Sequence, residues 1–318
     1  MQSRIRLFRR RPRHRRSTGR GGTSANLQAR HGYLPIMNRT AFLGTGLLGS
    51  AFVEAAAKRG EQITVWNRTI DKARALEQFG ARVGDTPADA VRGASRVHLV
   101  LKDDAVVEEV IAALRPGLDR DAIIIDHTTT QPALTAARAT RLNAEGVRYL
   151  HCPVFIGPVA ARAGQGTILA SGPQALFDAV SDDLRRMAPR VEYLGERSDL
   201  AAAYKLCGNA IIIGLAGTVA DVFAIASASD VAPNDTLRLL DFLNPTAIIT
   251  GRGRNMATRN YAPAFELAMA RKDVRLMIET AGSTPLSVLP AIAARMDALI
   301  AEGHGGDDMG IIARDSVR

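Results

Sequence analysis

The sequence predicts an α/β protein, with an N-terminal doubly wound parallel sheet over residues 37–196 and an all-helical C-terminal domain over residues 197–318. Three observations predict it. Short apolar runs alternate with helix-like segments up to about residue 196, and such alternation builds a parallel sheet covered by helices. From residue 200 onward the pattern is helical throughout. A glycine-punctuated break, Gly44-Thr-Gly46-Leu-Leu-Gly49, joins the first apolar run to the first helix.

Residues 40–43 suit a buried first strand. Gly44 then permits a tight turn, Gly46 lets backbone approach a pyrophosphate, and Gly49 lets the helix pack close to the strand, the Rossmann arrangement. The helix start offers free N–H groups and about half a positive charge to an anion. A helix over 50–59 closes at Gly60, and a second buried strand over 62–66 runs into Asn67-Arg68-Thr69. An NAD-binding domain presents Asp or Glu here to the ribose 2′-hydroxyl, and that acid is missing. Arg68 with small polar neighbours suits a 2′-phosphate, through charge-assisted, forked hydrogen bonds. The expected cofactor is therefore NADP, with NAD less favoured.

Helices are expected over 71–79, 86–92, 105–114 and 132–143, and strands over 96–101, 122–126 and 147–154. Ligands collect at the carboxyl ends of parallel strands, so Leu101, Lys102 and the Asp126-His127-Thr128-Thr129 segment should border the cofactor. A strand over 166–171, a helix over 173–187 and a strand over 191–194 complete the first domain. The remaining helices are expected over 200–229, 234–242, 265–281 and 289–302. The first is almost uncharged from Leu206 to Ala220, but its Gly, Ala and Thr content and the mid-run Asp221 read as a buried inter-domain helix rather than a bilayer span.

The charge is concentrated at one end. The chain has 41 Lys and Arg against 32 Asp and Glu, a net of +9. Residues 1–36 carry ten Arg and no acid, which leaves the other 282 residues at −1. The folded part therefore has no electrostatic reason to bind nucleic acid. The basic segment has the composition of a disordered extension. Three readings of it stand: a stretch upstream of a working start at Met37, a mitochondrial-type presequence, or a nucleic-acid-binding arm. Two cysteines, Cys152 and Cys207, provide neither a disulfide framework nor a metal cluster and fit a reducing cytoplasm.

The chemistry-bearing residues open the long helix: Lys205 and Asn209, four apart, share one helical face. A lysine entering an uncharged helix is either the last solvated residue or a functional cation. His127 and His151, single histidines at strand ends, receive no role.

From about Met37 to the end, the chain resembles the β-hydroxyacid dehydrogenases, the family of 3-hydroxyisobutyrate dehydrogenase and glyoxylate/succinic semialdehyde reductase. Four blocks carry the resemblance in order: Gly44-Thr-Gly46-Leu-Leu-Gly49, Pro153-Val154-Phe155-Ile156-Gly157, Lys205-Leu-Cys-Gly-Asn209, and Phe265 leading to Lys272-Asp273. The resemblance implies that Gly44, Thr45, Gly46, Leu47, Leu48 and Gly49 hold the cofactor, with Asn67, Arg68 and Thr69 as in the NADP-using branch. It implies that Phe155, Ile156 and Gly157 contact substrate, that Lys205 is the catalytic lysine with Asn209 beside it, and that Lys272 lies near nicotinamide and substrate. The expected activity is NADP-dependent hydride transfer to or from an aldehyde, ketone or hydroxy acid, in a homodimer or larger homo-oligomer without membrane partners. Two other readings stand beside it: an imine reductase, and a non-catalytic NADP-binding scaffold or sensor.

One block departs from the family. Its substrate loop reads Asp-Ala-Pro-Val-Ser-Gly-Gly, with the serine and glycines receiving a carboxylate; here it is His151-Cys152-Pro153-Val154-Phe155-Ile156-Gly157. Either the site takes a larger, more apolar carbonyl compound, or Phe155 is a packing residue.

Overall fold

The first apolar run becomes a strand, β1 (Thr40–Leu43), with all four residues buried. The computed structural model describes residues 39–317, so the readings of residues 1–36 and of a start at Met37 lie outside the described residues. From β1 the chain passes through α1 (Leu47–Lys58), β2 (Ile63–Trp66), α2 (Ile70–Arg74), β3 (Arg82–Val83), α3 (Pro87–Val91) and β4 (Arg96–Leu99). It continues through α4 (Asp104–Leu114), β5 (Ile123–Asp126), α5 (Pro132–Ala144) and β6 (Arg148–His151). These strands make one six-stranded parallel sheet in the order β3-β2-β1-β4-β5-β6. The order reverses between β1 and β4, which opens a crevice at their carboxyl ends. Leu43 pairs with both Trp66 and Leu99, so the loops after β1, β2 and β4 leave the sheet at one level.

Successive residues of each central strand feed opposite cores, as a sheet covered on both faces requires. Phe42, Ile123, Ile125 and Leu150 pack with Phe52 of α1, while Ala41, Leu43, Ile124 and Tyr149 pack with Val107, Ile111 and Leu114 of α4. Each large side chain fully buried here contributes about 1.5–3 kcal/mol.

The run over 147–154 is not one strand. The Cys152 N–H still donates to the Asp126 carbonyl at 2.7 Å, but Pro153 has no N–H to continue the ladder, and the chain leaves the sheet there. It enters a second, three-stranded sheet of β7 (Val154–Phe155), β8 (Thr167–Ala170) and β9 (Arg190–Tyr193), with α6 (Pro158–Arg162) and α7 (Gln174–Met187) between them. β7 pairs antiparallel with β8, and β8 pairs parallel with β9. Other expectations are corrected in detail. The helix over 71–79 stops at Arg74 and resumes as a 3-10 turn over Glu77–Phe79. β3 and α6 had no clear signal.

Beyond β9 the described residues contain no strand. The helices are α8 (Leu200–Ala228), α9 (Pro233–Thr236) with a 3-10 turn after it, α10 (Pro245–Ala257), α11 (Leu267–Ala281) and α12 (Leu289–Ala301). Leu267, Val274, Met296, Leu299 and Ile311 form their small core.

The expected burial of the long apolar helix is corrected. α8 has the length and composition to cross a membrane, yet only 17% of its apolar 18-residue window is buried within the chain. It is tied down at its two ends. It contacts α5, β8, α9 and α11; the Ala201 N–H in its first turn is bonded to Ser171, and Val222 and Ile225 near its end share a cavity with Met277 of α11. Asp221, the acid inside the run, is buried and accepts N–H bonds from Ser287, Val288 and Leu289 at 2.5, 2.9 and 2.9 Å, capping the start of α12. Burial alone would raise its pKa; the three donors outweigh that and hold the carboxyl below the usual range. Between the ends Ile211, Ile212, Ile213 and Leu215 stand exposed.

Candidate active site

The glycine turn is built by steric exclusion. Gly44 has φ +98°, and a Cβ there would lie 2.2 Å from the Val100 carbonyl oxygen; one on Gly49 would lie 1.9 Å from the Gly44 oxygen. Neither position can carry a side chain. Gly46 is the opposite case: it is exposed, heads α1, and a Cβ there meets nothing within 4 Å. Gly44 and Gly49 exclude a side chain because of the surrounding backbone, whereas at Gly46 the protein itself leaves room for one. No side chain caps α1, and the buried Thr45 hydroxyl has no hydrogen-bond partner among the described residues. A bare helix N-terminus beside an unpartnered hydroxyl fits a dinucleotide pyrophosphate.

A cleft of about 340 Å³ opens from this turn. Gly44, Gly46, Asn67, Arg68, Thr69, Leu101 and Lys102 line it, as do Trp66, Lys72, Val106 and Glu109, which the sequence did not single out. Lys72 carried a signal all the same, a second cation four residues after Arg68. Asn67 is already engaged: its Oδ1 accepts the Thr45 N–H at 3.0 Å and its Nδ2 donates to the Thr69 carbonyl at 3.0 Å. It braces the glycine turn from β2 and leaves Arg68, Thr69 and Lys72 exposed to solvent. Leu47 is exposed and Leu48 packs against the core, so neither side chain lines the cleft. Thr129 is exposed past the end of β5, outside the lining of the cleft.

Behind the strand ends lies a buried polar network. Asp126 accepts from Tyr149 Oη at 2.8 Å and the Thr128 N–H at 2.9 Å, and Thr128 Oγ1 accepts the Leu101 N–H at 3.1 Å. That chain fixes the β4 loop relative to β5. His127 Nδ1 lies 2.7 Å from the Cys152 carbonyl, so it must carry the proton; its Nε2 then accepts from His98 Nδ1 at 2.9 Å. Burial pushes the His127 pKa down to about 4 and lowers those of His98 and His151, so all three are neutral at pH 7. They hold strands together at a distance from the cleft lining.

The second candidate centre is where the small sheet meets α8. Ser171, at the end of β8, accepts the Ala201 N–H at 2.9 Å and donates to the Ser198 carbonyl at 3.0 Å, pinning the first turn of the helix. One turn on, Lys205 is 9% exposed and donates from Nζ to Asn209 Oδ1 at 2.9 Å. Its ammonium sits 4.3 Å from the centroid of the Phe155 ring, in reach of a cation–π attraction. Desolvation lowers its pKa from the ordinary lysine value.

The resemblance also implies Ile156 and Lys272 at the site, and the structure turns Ile156 away from this point. Phe155, the last residue of β7, faces Lys205, while Ile156 just beyond the strand packs into the core, its Cγ1 covering Gly166. Gly157 is exposed and heads α6. Lys272, on α11, is half-exposed and paired with Asp273 at 2.9 Å.

The NAD binding domain of 6-phosphogluconate dehydrogenase matches residues 39–195. Glyoxylate/succinic semialdehyde reductase 1 of Arabidopsis thaliana is 29% identical over 265 residues, covering 80% of this chain and 89% of that protein. The cytokine-like nuclear factor N-PAC of Xenopus tropicalis is 29% identical over 256 residues, 77% of this chain; the chain spans about half (46%) of that relative's length. Two solved structures share the fold. A reductive aminase from Aspergillus terreus superposes with a TM-score of 0.78 at 23% identity, over 88% of this chain and 99% of that one. An imine reductase from Myxococcus stipitatus, in complex with NADP+, does so with 0.77 at 23%, over 87% and 99%. The fold and the glycine turn thus define an NAD(P)-binding domain of the 6-phosphogluconate dehydrogenase type. With the helical region that follows it, the chain is similar over most of its length to dehydrogenases and reductases that carry this domain.

Proposed function

We propose that this chain is an NADPH-dependent reductase that converts an aldehyde or ketone to the alcohol, or runs the reverse reaction on a hydroxy compound. One observation carries the reading: a desolvated lysine, Lys205, held by Asn209 at the start of α8. Bound NADPH would supply the hydride. As the carbonyl carbon accepts it, the oxygen gains the negative charge of an alkoxide. Lys205 stabilises that charge and gives the oxygen its proton, leaving a neutral amine that solvent reprotonates. Its lowered pKa makes it a better acid near neutral pH than an exposed lysine. Asn209 fixes Nζ and keeps an amide N–H₂ free to orient the substrate.

The preference for NADPH rests on Arg68, Thr69 and Lys72, exposed at the cleft with no acid where a ribose 2′-hydroxyl would be met. A charged hydrogen bond to phosphate contributes about 1.5–3 kcal/mol. Arg68→Ala should therefore raise KM for NADPH roughly tenfold to a hundredfold while leaving KM for NADH within about twofold. An equal change for both cofactors would remove Arg68 from the 2′-phosphate site. The primary test is oxidation of NADPH against small aldehydes, keto acids, ketones and a cyclic imine. Turnover of the imine alone would move the reading to imine reduction, and cofactor binding with no turnover to a non-catalytic protein.

The same reading includes a second copy of this chain as partner. Ile211, Ile212, Ile213 and Leu215 stand exposed in succession on α8, as do Phe242 and Leu243 after α9, and exposed apolar side chains grouped in this way mark a contact surface. Light scattering after gel filtration should give a dimer or larger assembly, weakened by Ile212→Glu. A wild-type monomer that partitions onto lipid vesicles would instead make this face a membrane contact.

A further inference from the structure

The position that departs from the family's substrate loop is not a loose substitution. Phe155 is seated in a matched notch. A Cβ built on Gly208 would lie 2.2 Å from Phe155 Cζ and 2.7 Å from Cε1, so the ring tip occupies the space that any side chain at 208 would need. Alanine is the better helix former, and Gly208 sits inside α8, so helix propensity does not account for the glycine. The ring does. From that notch its face covers Lys205, with Nζ 4.3 Å from the centroid, while the hydrogen bond to Asn209 holds the ammonium in place. Phe155, Gly208, Lys205 and Asn209 are thus one unit, formed between β7 and the second turn of α8. Both Phe155 and Gly208 remain partly exposed, so the assembled unit faces solvent.

We propose that Phe155 is the specificity-determining residue of this site: its ring forms an apolar wall beside Lys205 that selects carbonyl compounds bearing an apolar group over those bearing a carboxylate. This deepens the reductase reading and rests on it. An aromatic face offers no hydrogen-bond donor and presents a negative quadrupole, which attracts the ammonium and repels a carboxylate. A carboxylate against the ring would lose water without gaining a partner. Lys205 is not placed to receive that carboxylate, because one N–H is held by Asn209, the ring covers the ammonium on one side, and a further N–H is needed at the reacting oxygen.

The test compares succinic semialdehyde with 4-methylpentanal, its uncharged isostere, using NADPH and the full chain. The wild type should favour 4-methylpentanal by roughly tenfold or more in kcat/KM. Phe155→Ser, which removes the wall and adds a donor, should reduce that ratio at least about tenfold, whereas Phe155→Leu should hold it within about threefold. Gly208→Ala should impair the wild type by displacing the ring, and add little in the Phe155→Ser background, where the notch is empty. A wild-type preference for the semialdehyde, or a ratio unchanged in Phe155→Ser, overturns the proposal. Should Phe155→Ser fail to fold, Phe155→Leu and Gly208→Ala still decide it: loss of selectivity in the first, or no effect of the second, counts against it. A second readout separates this proposal from the reading beneath it. Unreactive succinamate and 4-methylpentanamide are titrated against the NADPH-loaded protein by nicotinamide fluorescence. If no carbonyl is reduced, the reductase reading fails; preferential binding of 4-methylpentanamide still supports the wall, and equal or absent binding overturns it.

Discussion

Lys205→Ala is expected to lower kcat for carbonyl reduction by about a thousandfold or more, with the Kd for NADPH changed by less than about twofold. The size follows from two lost functions, proton donation, worth about 10²–10⁴, and stabilisation of the developing alkoxide. The lack of effect on cofactor follows from position: Lys205 lies on α8 beside Asn209 and Phe155, and it does not line the cleft that runs from Gly44 to Lys72. Stability should change little or rise, because a desolvated ammonium is costly to bury and its removal leaves no unpaired charge. The pH profile supplies an independent check. The acid form is the active one in reduction, so kcat should be flat at low pH and fall as pH rises through the lowered lysine pKa. In the oxidation direction the limb inverts. Lys205→Arg should not rescue, since guanidinium keeps its charge but does not surrender a proton near neutral pH. Loss of less than tenfold in Lys205→Ala, or a profile without that limb, would remove Lys205 from the proton-transfer role.

Much of this architecture was legible in the sequence, for reasons that differ by element. Gly44 and Gly49 are read easily because the constraint is local: strand, turn and helix must pass within van der Waals distance of one another over six residues. Lys205 and Asn209 are equally local, one helical turn apart, and the structure joins them. Arg68 follows from an acid that is missing at the end of a strand. Local pattern carries no signal where partners are far apart in the chain. Phe155 and Gly208 are 53 residues apart, and neither residue reveals alone that one makes room for the other. Apolar periodicity likewise cannot say which sheet a strand joins. The run over 147–154 looks continuous, and only Pro153 marks the point where the ladder breaks. Asp221 stands out in an apolar run, but its three N–H partners lie 66 to 68 residues away. The exposure of α8 is not legible in the sequence, because composition records what a helix avoids and not which surface it finds.

Gly46→Val is expected to abolish NADPH binding, weakening it a hundredfold or more, while the protein stays folded. The case turns on the contrast with its neighbours. At Gly44 and Gly49 an added Cβ would strike backbone at 2.2 and 1.9 Å, so substitution there damages the fold and the cofactor site together, and no assay can separate the two. At Gly46 nothing lies within 4 Å of the added atom, and φ of −68° is open to any residue. The only internal cost is a poorer helix cap, valine for glycine, of about 1 kcal/mol, equivalent to a fall in Tm of about 2–4 °C in a domain of this size. The binding loss has a different origin. A branched side chain at the head of α1 stands in the path of an anion approaching the first free N–H groups, and holding it off by 2–3 Å forfeits the charge-assisted bonds they would make. Binding is read by NADPH fluorescence and folding by thermal melting on the same preparation. A Tm drop above about 10 °C would mean that Gly46 serves the fold. Unchanged binding would mean that the pyrophosphate does not sit at the head of α1, which would detach Arg68 and Lys72 from the cofactor as well, since the cleft they line begins at this turn.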